Sequence, residues 1–298
     1  MKKASDGAFL LFSQSIPSHA LGFIDSKSTA LEVTINGQDL TITQSPGVLS
    51  SNRAGGTTGA VVWKVTPPFA TWLASPDTNL FFKSGVLSST STVLELGCGV
   101  SALVGLAVGP LVSRYVLSDQ PYVSRSSKNT RKGKDNPSSS SNSRTTTTTT
   151  THTSPGTGTG NIIFRPLDWE TDTPDSSLAA GGENPSSSFD FLVACDCIYN
   201  EALIPSFTQT CADVCRLRSS SLPDAGFSSP YEYEEGKEQQ RPCVCVVAQQ
   251  LRDPEVFEAW LREFRAKGFR VWRVPDGELP EALRSTSGFV VHVGILQG

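Results

Sequence analysis

The 298-residue sequence predicts an α/β domain with a doubly wound, mostly parallel sheet. Three observations lead there. Residues 189–195 form an apolar run broken only by Asp190, the pattern of a strand buried on both faces in the middle of a parallel sheet. Short apolar runs at 92–96, 115–117, 162–164 and 244–248 alternate with helix-compatible segments, so consecutive strands are joined by crossovers. The first of these strands ends on Gly97-Cys98-Gly99 and leads into a small, apolar helical stretch at 101–108.

In order along the chain, residues 31–43 alternate apolar and polar on both sides of Asn36-Gly37, the strongest local signal for a two-residue hairpin. A Gly-rich loop at 55–59 precedes a helical or mixed segment at 61–73, where Pro67-Pro68 must start or bend any helix. Strand 92–96, the glycine turn, helix 101–108 and strand 115–117 ending at Asp119 make a right-handed βαβ unit. Residues 124–160 carry Ser, Thr, Lys, Asn and Gly with almost nothing apolar, and are expected to be a disordered insertion, either inert or a docking arm. Order is expected again from strand 162–164, through strand 189–195 and a helix reaching about residue 216, to strand 244–248. Asp253 caps an amphipathic helix in which Phe257, Trp260, Leu261 and Phe264 share a face, and Gly268 ends it. Strands at 269–274 and 289–296 close the sheet. The organisation expected is an N-terminal hairpin extension over 1–60 and one domain over 61–298, interrupted at 124–160.

Composition limits the function. The net charge of -4 and the lack of an aromatic-basic stripe argue against direct nucleic-acid binding. No window reaches the ~18 apolar residues of a membrane span. The run at 8–12 after Lys2-Lys3 is too short for a secretory signal, so the seven cysteines are expected to be reduced thiols in a cytoplasmic protein. Their C-x-C and C-x3-C spacings are better explained by buried thiols than by a metal site, so no metal is expected.

Gly97-Cys98-Gly99 lets the backbone turn sharply against a ligand, and Asp119 lies about 20 residues on, where a ribose-binding carboxylate is expected. That much fits any adenosine-containing cofactor, NAD included. Glu95 turns the choice, because a carboxylate at the strand end repels a pyrophosphate and suits the cationic amino acid of S-adenosylmethionine. No Arg or Lys cluster flanks the turn. Trp63, Trp169 and Tyr199 also have a purely structural alternative as core aromatics, and Asp119 could merely cap a helix. Asp196 directly follows the apolar strand and so lies at the sheet's carboxyl edge, where ligands bind in open α/β folds.

Residues 93–100 with Asp119, the run Leu167-Asp168-Trp169, and Asp196-Cys197-Ile198-Tyr199-Asn200 resemble the seven-strand protein-lysine methyltransferases. That family carries an Asp-x-x-Tyr or Asp-x-x-Phe motif after its fourth strand. Residues 194–205 and 117–122 are most similar to its fungal members that modify ribosomal proteins, and the resemblance covers roughly 20–122 and 161–298. It implies a Rossmann-like, seven-strand class I methyltransferase sheet and S-adenosylmethionine as cofactor. By the same resemblance Gly97, Cys98 and Gly99 line the methionine portion, with Glu95 beside them, and Asp119 binds the ribose. Asp168 and Trp169 border the adenine, Cys195 packs beneath the cofactor, and Trp63 helps close the pocket. Asp196 and Tyr199 would face the acceptor lysine as catalytic residues. The partner implied is a large-subunit ribosomal protein, the stalk-forming one, monomethylated by a monomeric enzyme. Other acceptors (a small amine, RNA), an NAD-dependent reductase and a catalytically idle binding module stay open on the residues alone.

Overall fold

The computed structural model describes residues 4–17, 22–51, 57–123, 128–131, 147–150, 160–180, 187–220 and 241–297. The Asn-Gly pair forms its hairpin: β1 (Ala30–Ile35) and β2 (Gln38–Thr43) pair antiparallel with Ile35 opposite Gln38. Asn36 and Gly37 have φ of 49° and 74°, the left-handed values that a tight hairpin turn needs. Single-turn α2 (Pro46–Leu49) follows, then α3 (Thr66–Leu73), in which Pro67 and Pro68 occupy the first turn, where a missing N–H costs nothing. A second single-turn helix, α4 (Leu80–Lys83), leads to the main sheet.

That sheet has seven strands. β3 (Thr92–Leu96), α5 (Leu103–Val108) and β4 (Arg114–Asp119) make the expected βαβ unit, with β3 and β4 parallel. β7 (Ile162–Pro166) pairs parallel to β4 on the outside. The chain then crosses to the other side of β3 and lays down β8 (Phe191–Cys195), α6 (Ile204–Ser220) and β9 (Val244–Gln250), with β8 parallel to both β3 and β9. α7 (Pro254–Ala266), β10 (Phe269–Arg273) and β11 (Phe289–Leu296) complete it, β11 running antiparallel between β9 and β10. The order β10-β11-β9-β8-β3-β4-β7 is that of the Rossmann-like class I methyltransferases. Its direction of winding reverses between β3 and β8, so their carboxyl ends open a crevice.

Alternation along the strands builds two layers. Val93, Tyr115, Leu117, Phe191 and Val246 pack with the hairpin, α3 and α5. Leu94, Leu96, Val116, Leu192 and Val247 pack with α6, α7 and a further helix, α1 (Ala4–Phe12). The sequence reading did not anticipate α1. Its Ala8 and Leu11 are buried, and Phe12 meets Phe257 at 5.7 Å, so tertiary contact with α7 supplies what nine residues lack alone.

Much of 124–160 lies outside the described residues. Two pieces of it, β5 (Lys128–Arg131) and β6 (Thr147–Thr150), extend the hairpin sheet in the order β1-β2-β5-β6, so at those positions the backbone is extended and paired where disorder was expected. The open edge of β2 offers unpaired backbone groups, and β-branched threonine favours the extended conformation.

His292 on β11 is buried among Phe257 and Trp260, at ring distances of 5.5 and 5.4 Å. Burial, with Arg273 adding repulsion, lowers its pKa from 6.5 to about 3. The unfolded chain therefore binds a proton there in this window that the folded chain does not, and stability falls as pH drops below 6.5 toward 3. His292→Phe, which keeps a ring in place, is expected to remove this dependence. The stability difference between wild type and variant should change by about 1.4 kcal/mol per pH unit in denaturant titrations across that window. Parallel stability curves would refute the assignment.

Candidate active site

At the carboxyl edge of β3, β4 and β8 lies a cleft lined by every position singled out from the sequence: Trp63, Glu95, Gly97, Cys98, Gly99, Asp119, Asp168, Trp169, Cys195, Asp196 and Tyr199. The glycine turn after β3 makes its floor. Gly97 and Gly99 have φ of 67° and 58°, and a Cβ on Gly99 would stand 3.1 Å from the Gly59 carbonyl oxygen. The Thr58-Gly59 turn lies directly over this loop, and Val100 N–H donates to the Gly59 carbonyl at 2.8 Å.

Glu95 is buried on β3 and accepts a hydrogen bond from Tyr115 Oη at 2.9 Å. Burial raises its pKa to about 7, against the lowering effect of that bond. Asp119, at the end of β4, accepts from Gly99 N–H at 2.8 Å and from Gln120 N–H at 2.7 Å. Burial raises it to about 6 despite these bonds, while the side chain stays partly open to the cleft. Two of the roughly four lone-pair sites of the Asp119 carboxylate are thus taken, and two remain for a ligand. Gln120 Nε2 donates to Asp168 Oδ2 at 3.3 Å, and Trp169 packs on Phe207 at 5.1 Å. Cys195 Sγ lies 3.7 Å from Thr66 Oγ1, and burial pushes its thiol pKa well up, so it stays neutral.

The opposite wall is aromatic. Trp63 stacks with Tyr199 at 6.3 Å and packs on Phe23 at 4.6 Å, and its Nε1 donates to the Thr58 carbonyl at 3.1 Å. Thr58 Oγ1 and Tyr199 Oη share a hydrogen bond of 3.0 Å. Asp196 follows β8 with a left-handed φ of 59°, which turns its carboxylate along the sheet edge. The resemblance has it facing the acceptor with Tyr199 and names no partner for it. Both of its oxygens are engaged by the Arg252 guanidinium, at 2.7 and 2.5 Å, and Gln250 N–H donates to Oδ1 at 3.2 Å.

The charge pattern of the cleft decides its ligand chemistry. Glu95, Asp119, Asp168, Glu170 and Asp196 line it, and no Lys, Arg or His does among the described residues. A pyrophosphate would be repelled, whereas a sulfonium cation carrying an adenosine is attracted. The donor set therefore fits S-adenosylmethionine.

The comparisons with known proteins agree. Ribosomal lysine N-methyltransferase 5 of Zygosaccharomyces rouxii is 30% identical over 240 residues, covering 75% of this chain and 69% of that one. The chain belongs to the ribosomal lysine N-methyltransferase 5 family. The member from Lachancea thermotolerans is 25% identical over 235 residues, covering 64% of this chain and 70% of its own. A diaminohydroxyphosphoribosylamino-pyrimidine deaminase of Schizosaccharomyces pombe is 35% identical over 122 residues, 40% of this chain. The chain spans only 29% of that relative's length. No protein-family model matches the chain.

The sequence reading missed Thr58 and Gly59 in this family member's cleft, and Arg252 behind Asp196. Thr58 and Gly59 sit in a loop whose position over the glycine turn is set by long-range contact. Arg252 follows β9, the neighbour of β8, and only the strand order reveals that a residue 56 positions from Asp196 can grip it.

Proposed function

We propose that this class I methyltransferase transfers a methyl group to the side-chain amine of a lysine in a large-subunit ribosomal protein, the stalk-forming one, and stops at one methyl. The observation that carries the reading is a cleft lined by carboxylates, with no basic side chain among its described lining residues, joined to the Trp63–Tyr199 wall and to Asp196, which Arg252 grips from behind. When bound, S-adenosylmethionine supplies an electrophilic methyl group on a sulfonium cation. Asp119 would accept from the ribose hydroxyls, Gly97, Cys98 and Gly99 would admit the methionine portion, and Asp168 with Trp169 would border the adenine. Glu95 supplies negative charge below the floor.

A free lysine has a pKa near 10.4, so little of it is nucleophilic at neutral pH. The aromatic wall desolvates the ammonium and favours the neutral amine. Asp196, with a lone-pair site left over, would accept one amine N–H and orient the nitrogen lone pair along the transfer axis. Water takes the proton before transfer, so no residue need act as a base. The reading carries a cytoplasmic location with it.

Transfer of labelled methyl from S-adenosylmethionine into purified fungal 60S subunits tests it. Label in one large-subunit protein is expected, with the modified residue a monomethyl-lysine. Cofactor binding without label would point to another acceptor, and no cofactor binding would remove the enzyme reading.

Glu95 makes a further prediction. A cation in the cleft stabilises the ionised carboxylate, so binding releases a proton, and affinity rises with pH through the Glu95 pKa of about 7. Calorimetry between about pH 6 and 8 should show S-adenosylmethionine affinity increasing several-fold, with the slope reduced in Glu95→Gln. An affinity independent of pH in the wild type would contradict this.

A further inference from the structure

We infer that Arg252 is a positioning residue for methyl transfer: it clamps Asp196 in a charge-compensated pair against the Trp63 ring, so that the acceptor channel selects the neutral amine over the ammonium. The inference rests on the lysine reading above and concerns a residue that the resemblance did not assign.

Arg252 lies in the loop after β9, and its fork meets both oxygens of Asp196, whose side chain is 1% exposed against 19% for the arginine. The guanidinium carbon lies over the Trp63 ring, 4.9 Å from its centroid. Trp63 and Asp196 both line the cleft, so the pair stands where the aromatic wall and the carboxylate meet. A lone carboxylate beside an aromatic face traps cations. It would hold an incoming lysine as ammonium, with no lone pair to attack. Arginine fills that trap with its own charge, so the pair is compensated. Three hydrogen bonds then occupy the carboxylate, two from Arg252 and one from Gln250 N–H. About one acceptor site is left, enough for a single amine N–H.

The surroundings are built around this pair. Gly22, with φ of 91°, passes so close that a Cβ there would stand 2.5 Å from the Arg252 Nη2 and 2.3 Å from Gln250 Oε1. Gly22 and Ile24 are held there by Lys64 N–H donating to the Gly22 carbonyl at 2.8 Å and Ile24 N–H to the Val62 carbonyl at 3.1 Å. Gly22 packs against the pair, whose carboxylate is buried, and burial strengthens the attraction. The other titratable groups facing Asp196 are Cys195, Cys197 and Tyr199, and burial holds their protons on. Arg252 alone among the described residues carries a compensating charge against it. The guanidinium Nε is buried without a hydrogen-bond partner in the described structure, so the polar contacts of the fork are directed to Asp196.

The test compares the full chain with Arg252→Gln and Arg252→Lys, using proteins extracted from fungal 60S subunits and S-adenosylmethionine. The readouts are kcat and KM across pH, with melting temperature and calorimetric cofactor affinity as controls. In Arg252→Gln the uncompensated Asp196 stabilises bound ammonium. The midpoint of the kcat profile is then expected to rise by about one pH unit, so kcat at neutral pH falls about tenfold and recovers in alkali while KM does not rise. Arg252→Lys, with one ammonium in place of the fork, should shift the midpoint upward by less. A merely structural role predicts a loss of kcat independent of pH. A folded variant whose profile parallels the wild type overturns the inference, and if Arg252→Gln does not fold, Arg252→Lys decides on the same criterion. No methyl transfer by the wild type overturns the lysine reading and this inference together, whereas wild-type activity with unmoved variant profiles overturns this inference alone.

Discussion

Asp196→Ala is expected to lower turnover about 100-fold, close to 3 kcal/mol of transition-state stabilisation, while cofactor affinity changes little. The expectation follows from where the backbone puts the residue. A left-handed φ of 59° after β8 carries Asp196 into the cleft that Trp63 and Tyr199 also line. In the proposed reading alanine removes the acceptor for the amine N–H, and it leaves Arg252 without its partner. Arg252 is 19% exposed, so its charge can partly rehydrate, and the fold should survive with a modest loss of stability. Single-turnover methyl transfer alongside a calorimetric titration separates the two effects. Turnover within about threefold of wild type would rule out the orienting role.

Asp119→Ala should act on the other half of the cleft. Weakening of S-adenosylmethionine binding by about 100-fold is expected, the loss of charge-assisted hydrogen bonds to a ribose. The same carboxylate accepts Gly99 N–H and Gln120 N–H, so alanine also loosens the glycine turn. Asp119→Asn keeps one acceptor oxygen and should weaken binding less. If both variants bind the cofactor as tightly as wild type, the ribose assignment is wrong. The two aspartates thus predict opposite signatures, a kcat effect for one and an affinity effect for the other.

Local chemistry was enough to read much of this molecule. Continuous apolar strands, Asn36-Gly37, the Pro67-Pro68 helix start and the Asp253 cap each act within a few residues, so the elements they mark are found where expected. Gly97, Gly99, Asp119 and Asp196 follow strand ends, and in a doubly wound sheet the carboxyl ends of adjacent strands converge; that rule placed them in one cleft. What depended on the partner of a distant segment was not legible. Helix α1 needs the face of α7, β5 and β6 need the open edge of β2, and Thr58-Gly59 need the glycine turn beneath them. The state of Asp196 is the sharpest case. Sequence alone determined that a carboxylate stands at the sheet edge, whereas tertiary structure decided that it stands there paired. An ion pair is a relation between two side chains brought within hydrogen-bond reach by strand order, and nothing in the local sequence of either Asp196 or Arg252 encodes that distance.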